Sequence, residues 1–236
     1  LLSICFRFSL SAIRMKQIFI FIASALLLLQ PSHAFPRTKR NTEAVLALFQ
    51  NSSSEEVDPK VQLAVTTLND IVQISKWVLE KGSVVVNNAV KELEALPVQD
   101  ELLRANITRM SKIGTESAQF KPEEDGQSIL KLLDYMVSFT EMMANYENMP
   151  DDSKQKAILK TALENNGYNK LEKDYEEKVV QLTKDFDQEF GKYVSGLTPA
   201  EKVDEAKLLK WYDDYKAETD EDKKFDKFGD FFDQIS

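Results

Sequence analysis

Apolar residues recur at steps of three and four along most of the chain after Asp58, the spacing that places them on one face of an α-helix. One long pattern begins at Pro59, and Gly82 is expected to end or bend that helix. The clearest pattern begins at Lys170 and is nearly heptad-like, with aromatic residues at half of its positions. Its apolar stripe comprises Leu171, Tyr175, Val179, Leu182, Phe186, Phe190, Tyr193 and Leu197.

Shorter helical patterns follow Pro97, Gly126, Asp151 and Pro199, a phenylalanine-rich pattern ends the chain, and residues 42–49 add an early one. Each of the five prolines after residue 40 precedes a helical pattern, where the missing amide hydrogen costs nothing.

Two of these helix starts carry capping signals. Asp58 and Thr198 are good N-caps, and Glu201, three residues after Thr198, completes a capping box. No apolar alternation is long enough to predict a sheet. The sequence therefore predicts an all-α fold: a single domain of about seven or eight amphipathic helices in an irregular bundle, with no disulfides.

Residues 15–34 have the pattern of a signal peptide. Met15 and Lys16 precede an apolar run from Ile18 to Leu29, and cleavage is expected after the small residue Ala34. A membrane anchor is the alternative, but a run of about a dozen apolar residues is shorter than the roughly 20 that a spanning helix needs. Residues 1–14 are interpreted as a translated leader or as an extension of the signal peptide.

Residues 35–40 form a basic linker or a short propeptide. They end in Arg37-Thr38-Lys39-Arg40, the basic pattern that furin-like convertases favour, so a second cut is expected after Arg40 if the segment is a propeptide. A solvated basic linker is the alternative interpretation. In either case residues 41–236 form the acidic helical domain, whose 196 residues are enough for one buried core.

The charge of this domain excludes several partners. The whole chain has a net charge of −9, but six of its 30 Lys and Arg precede residue 41 while all 39 Asp and Glu follow it. Residues 41–236 therefore carry −15. Such a field repels phosphate backbones, so no nucleic-acid partner is expected. No stable membrane span is expected either, because the apolar run at residues 18–29 is too short.

The positions of the only cysteine and the only histidine limit the chemistry further. Cys5 and His33 both precede the expected cleavage after Ala34, so an exported chain contains neither residue. Disulfides, thiol nucleophiles, Ser-His-Asp triads and Cys/His zinc sites are then excluded. No phosphate-binding glycine loop, dinucleotide fingerprint or calcium loop occurs, so no cofactor or metal is expected and no catalytic residue is assigned.

Two triplets fit the N-glycosylation pattern. Asn51 begins a polar run and is the better candidate, whereas Asn106 falls on an apolar helix face and is better interpreted as a buried amide. Paired acids such as Asp151-Asp152 and Asp213-Asp214 are interpreted as solvated surface, because adjacent acids on a helix point in different directions.

The aromatic residues leave two interpretations open. They are either core or the face of an apolar-ligand or lipid site, and the candidate residues are Tyr175, Phe186, Phe190, Tyr193, Trp211 and Tyr212. The leading hypothesis is a secreted, extracellular, non-catalytic helical protein that binds a protein partner or a small apolar ligand. The secreted, acidic, amphipathic-helix design resembles apolipophorin-type lipid carriers and other small helical carrier proteins in architecture only. The first alternative is a lipid-surface protein. The second is a carboxylate-dependent hydrolase.

Overall fold

The computed structural model describes residues 58–97, 100–121, 123 and 126–235. This part of the chain contains nine helices and no strand, which confirms the predicted all-α, single-domain fold. The helices are α1 Pro59–Glu94, α2 Glu101–Gln119, α3 Gly126–Glu147, α4 Lys154–Asn165, α5 Tyr168–Gly196, α6 Pro199–Asp204, α7 Ala206–Ala217, α8 Glu221–Gly229 and α9 Phe231–Gln234. The helix predicted over residues 42–49 lies outside the described residues.

Helix α1 is the centre of the bundle. It has 36 residues, which correspond to about 54 Å, and α2, α3, α4 and α5 all pack against it. Sixteen of its residues are buried, among them Ile71, Val86 and Leu93, because its apolar positions cover more than one face. A helix with so wide an apolar surface is stable only when neighbouring helices cover it.

Gly82 does not end this helix, so that form of the prediction is wrong. Helix α1 continues through Gly82 to Glu94 without interruption. The reason is packing between helices: a Cβ atom at Gly82 would lie 2.6 Å from Cζ of Phe139 on α3. Glycine therefore serves here as the point of closest approach between α1 and α3, a contact that the local sequence does not reveal.

The predicted caps are confirmed at Asp58 and Thr198. The Asp58 carboxylate accepts a hydrogen bond from the amide of Lys60 at 2.8 Å, and both hydrogen bonds of the Thr198–Glu201 capping box are present. The prolines at 97 and 150 do not begin helices, contrary to expectation, and Pro122 lies outside the described residues. Helix α2 is capped instead by Asp100 and α4 by Ser153, since these side chains can bind the free amides of the first turn.

Helix α5 runs antiparallel to α1. It begins after Gly167, whose φ of 95° allows the tight turn from α4. At this end the Asn166 amide donates to Glu92 at 2.7 Å. Further along, the Lys178 ammonium lies 4.9 Å from the centre of the Trp77 ring. The C-terminal end of α5 is consequently brought beside the beginning of α1.

A matched pair of glycine substitutions tests the packing at the centre of the bundle. Gly82→Ala is expected to cost about 1–3 kcal/mol of overpacking, because Phe139 is buried and its ring has little room to move. Gly191→Ala in α5 meets no atom within 4 Å and is expected to gain up to about 1 kcal/mol of helix propensity. Urea unfolding of both variants measures the difference, and equal effects would contradict the proposed contact.

Candidate functional site

The aromatic stripe of α5 forms part of the hydrophobic core. Phe186 lies at the centre of an aromatic cluster in this core. Aromatic rings of α5, α7, α8 and α9 surround the Phe186 ring edge to face. The centre-to-centre distances from Phe186 are 5.6 Å to Phe190, 6.2 Å to Trp211, 5.6 Å to Tyr215, 4.8 Å to Phe228 and 4.9 Å to Phe231. Such geometry is favourable for aromatic pairs, and the rings fill the space between these helices.

The other residues of the predicted apolar face are buried as well. Phe190 stacks on Tyr212 with ring centres 3.8 Å apart, and the Tyr212 hydroxyl donates to the carbonyl of Asp187 at 3.1 Å. Tyr175 is buried within α5, and Tyr193 is buried near its end. Tyr193 differs from the rest because it also lines an open cleft.

The remaining predicted positions lie apart from one another. Ala34, Arg40 and Asn51 lie outside the described residues. Asn106 is buried in α2, where its amide donates to the carbonyl of Leu102 at 3.0 Å and accepts from Arg109 at 3.0 Å. Asp151, Asp152, Asp213 and Asp214 are exposed.

Two further findings concern the described residues only. They contain no group of three or more acidic, histidine or cysteine side chains arranged to hold a metal ion. Every helix described there is also too short or too polar to cross a bilayer.

A cleft of about 490 Å³ lies where the start of α1 meets the end of α5 and the short helix α6. Its apolar floor includes Leu63 of α1 and Leu197, which follows α5. Five carboxylates and a single ammonium group line it. The acids are Asp58, Glu189, Glu201, Asp204 and Glu205, and the cation is Lys192. The cleft therefore has an excess of negative charge.

Several of these acids are already engaged. Glu201 accepts two hydrogen bonds from Thr198, Glu205 binds the Lys60 ammonium at 3.0 Å, and Glu189 accepts from Lys192 at 2.6 Å. Asp204 is exposed and has no hydrogen-bond or ion-pair partner within the described ranges. The last turn of α5 also contains no basic residue to balance the negative end of its dipole.

The hydroxyl of Tyr193 is the second unusual feature of the cleft. Its side chain is only 7% exposed, yet the hydroxyl makes no hydrogen bond to any residue that the structure describes. Burial first, and then the nearby carboxylates of Glu205, Asp58 and Glu201, together raise the pKa of this phenol to about 12. Tyr193 thus stays protonated at neutral pH and keeps a donor available at the cleft.

A row of like charges extends from the cleft along the α1–α5 interface. Asp70 of α1 lies near Asp185 and Glu189 of α5, and all three are half-buried. Burial and the charges of these two neighbours raise the pKa of Asp70 above its usual value. The fold therefore keeps negative charges close together next to the cleft at a cost in stability.

Sequence reasoning did not identify the cleft. Its acids come from positions 58, 189 and 201–205, which are adjacent only because α5 returns antiparallel to α1. The capping signals at Asp58 and Thr198 marked two of its edges without indicating that they are neighbours. Comparisons with protein-family models, curated proteins and solved structures found no match.

The core role of the aromatic rings gives a stability prediction. Phe186→Ala is expected to lower the free energy of unfolding by about 3–5 kcal/mol, because it removes the ring that five others contact. Val180→Ala on the exposed side of the same helix is the control and should change it by less than about 0.5 kcal/mol. Chemical denaturation followed by tryptophan emission measures both values.

The raised pKa of Asp70 gives a pH-dependent prediction. A carboxyl whose pKa is higher in the folded state contributes most to stability when it is protonated, and this contribution is lost as pH rises through the folded-state pKa. Asp70→Asn should therefore stabilise the protein at pH 7, and the gain should shrink towards pH 3. Exposed Asp152→Asn is the control, and an equal gain for Asp70→Asn at both pH values would contradict the prediction.

Proposed function

We propose that this chain is a secreted, non-catalytic helical protein that binds an extracellular protein partner, and that the cleft holds a cationic segment of that partner. The observation that carries the proposal is the pairing of an acid-lined cleft with the hydroxyl of Tyr193, which lines the cleft and makes no hydrogen bond to the described residues. A positively charged, polar ligand would offer an acceptor to this hydroxyl and cations to the excess of carboxylates.

The same geometry makes a small apolar ligand less favourable. The aromatic side chains that were candidates for an apolar site contact one another around Phe186. An apolar ligand in the cleft would instead have to strip water from its carboxylates without replacing those hydrogen bonds, which is costly. Lys and Arg side chains offer both an apolar stem for Leu63 and Leu197 and a charged end for the acids.

Neither alternative function has comparable support. A lipid-surface role would require the aromatic faces of α5 and α7 to open, and they are buried against each other. A carboxylate-dependent hydrolase would need two acids facing each other with room for substrate. The acids of the cleft are instead held by Thr198, Lys60 and Lys192, except for Asp204.

A conservative substitution of Tyr193 tests the proposal. The probe is a fluorescein-labelled peptide Gly-Arg-Thr-Lys-Arg-Gly, and the protein carries Gln at 37, 39 and 40 so that the probe supplies the only basic segment of this kind. Binding is expected to be weak, with a Kd on the order of 0.1–1 mM at low salt. Tyr193→Phe should weaken it about two- to tenfold, the value of one hydrogen bond.

Matched controls separate binding from folding. Tyr193→Phe should leave the free energy of unfolding within about 0.5 kcal/mol, because the hydroxyl has no partner to lose among the described residues. Tyr212→Phe should lower it by about 1 kcal/mol, because that hydroxyl donates to Asp187. Glu189→Gln with Asp204→Asn should abolish probe binding, whereas exposed Glu116→Gln with Asp152→Asn should not.

The proposal fails if the probe and its uncharged analogue Gly-Gln-Thr-Gln-Gln-Gly bind equally, or if neither binds at low salt. Anisotropy titrations at 20 and 500 mM salt make this comparison, since exposed ion pairs weaken as salt rises. Flotation with anionic and zwitterionic liposomes runs in parallel. Stable association with liposomes would favour the lipid-surface alternative.

A further inference from the structure

The first described residue of the chain also forms part of the cleft. Asp58 caps α1 and lines the cleft at the same time, so whatever precedes it in the chain is tethered at the cleft's edge. Seventeen residues separate Arg40 from Asp58. A chain of that length spans at most about 60 Å, which is more than enough to fold back upon a site at its own end.

The charge of the preceding chain is confined to one segment. No Lys or Arg occurs between Arg40 and Lys60, and this stretch contains Glu43, Glu55 and Glu56. Arg37, Lys39 and Arg40 are therefore the nearest cations upstream of the cleft. The lining of the cleft has five carboxylates and one ammonium, so a segment with three cations would complement its charge.

We propose that the segment Arg37–Arg40 occupies the cleft until the chain is cut after Arg40, so that the uncut protein blocks its own binding site. This inference rests on the proposed function, because it uses the same cleft and the same class of ligand. An Arg or Lys side chain of the segment would lie beside Asp204 and Glu189. A backbone carbonyl of the segment would accept a hydrogen bond from the Tyr193 hydroxyl, which makes none to the described residues.

The tether makes a weak interaction sufficient. A short flexible linker gives an effective concentration in the millimolar range, and the segment in trans has an expected Kd of the order of 0.1–1 mM. The tethered segment is then bound most of the time, and it lowers the apparent affinity of the cleft for an added peptide several-fold to about tenfold. Once the bond after Arg40 is cut, the tether is lost and the free segment is diluted away.

Competition in the uncut chain tests the inference. Two proteins starting at Phe35 are produced in bacteria, one with the natural sequence and one with Arg37→Gln, Lys39→Gln and Arg40→Gln. The labelled probe Gly-Arg-Thr-Lys-Arg-Gly should bind the substituted chain about three- to tenfold more tightly than the natural one. Treating the natural chain with a furin-like protease should raise its affinity to that of the substituted chain.

The outcomes separate this inference from the proposed function. If both chains bind the probe equally well, the blocking inference is wrong and the function stands. If neither chain binds it, even after protease treatment, the proposed function fails as well. If the block disappears when the natural chain is diluted a hundredfold, the occupant is the basic segment of a second copy and the intramolecular inference is overturned.

A disulfide trap gives a second, independent measurement. A chain starting at Phe35 has no cysteine of its own, so any disulfide that forms must join the two introduced cysteines. Lys39→Cys with Asp204→Cys should form a disulfide under mild oxidation, because the segment must come within about 7 Å for the bond to close. Lys39→Cys with the exposed Asp152→Cys is the control and should react at least tenfold more slowly. Equal rates for the two pairs would overturn the inference.

Discussion

Burial of the apolar surface of α1 organises the rest of the bundle. The helix has buried residues from Leu63 to Leu93, and it cannot cover this surface by itself, so α2, α3, α4 and α5 must pack along it. The close contact of Phe139 with Gly82 fixes how near α3 can come. The antiparallel return of α5 then brings Tyr193 beside Leu63, and the cleft follows from that arrangement.

The aromatic side chains and the acidic side chains have different roles in this arrangement. The rings around Phe186 join α7, α8 and α9 to α5, and together they form the apolar core of this end of the described chain. The acids beside Tyr193 add no comparable stability, and the burial of Asp70 next to the charges of Asp185 and Glu189 opposes folding. Charges that a fold retains at a cost to its stability are typical of binding sites.

Sequence periodicity was sufficient to predict the all-α fold, the N-caps at Asp58 and Thr198 and the burial of the Asn106 amide. It failed at Gly82, where the deciding contact is with Phe139, 57 positions further along the chain. The cleft was out of reach for the same reason. Nothing in the sequence indicates that the acids at 58, 189 and 204 are neighbours in the fold. A capping box at Thr198 likewise does not show which helix lies opposite it.

The wide separation of the cleft's walls along the chain also affects when the site can exist. Helices α2, α3 and α4 follow α1 in order, so their contacts with it close comparatively short loops. The cleft requires residues 58–66 to meet residues 189–205, a separation of more than 120 positions, and contacts of that kind form slowly. A nascent chain therefore has no cleft until synthesis has passed Glu205. Asp58, on one wall of the cleft, is made more than 120 residues before Glu189 on the other, so that wall stays open to solvent until α5 and α6 have folded against it.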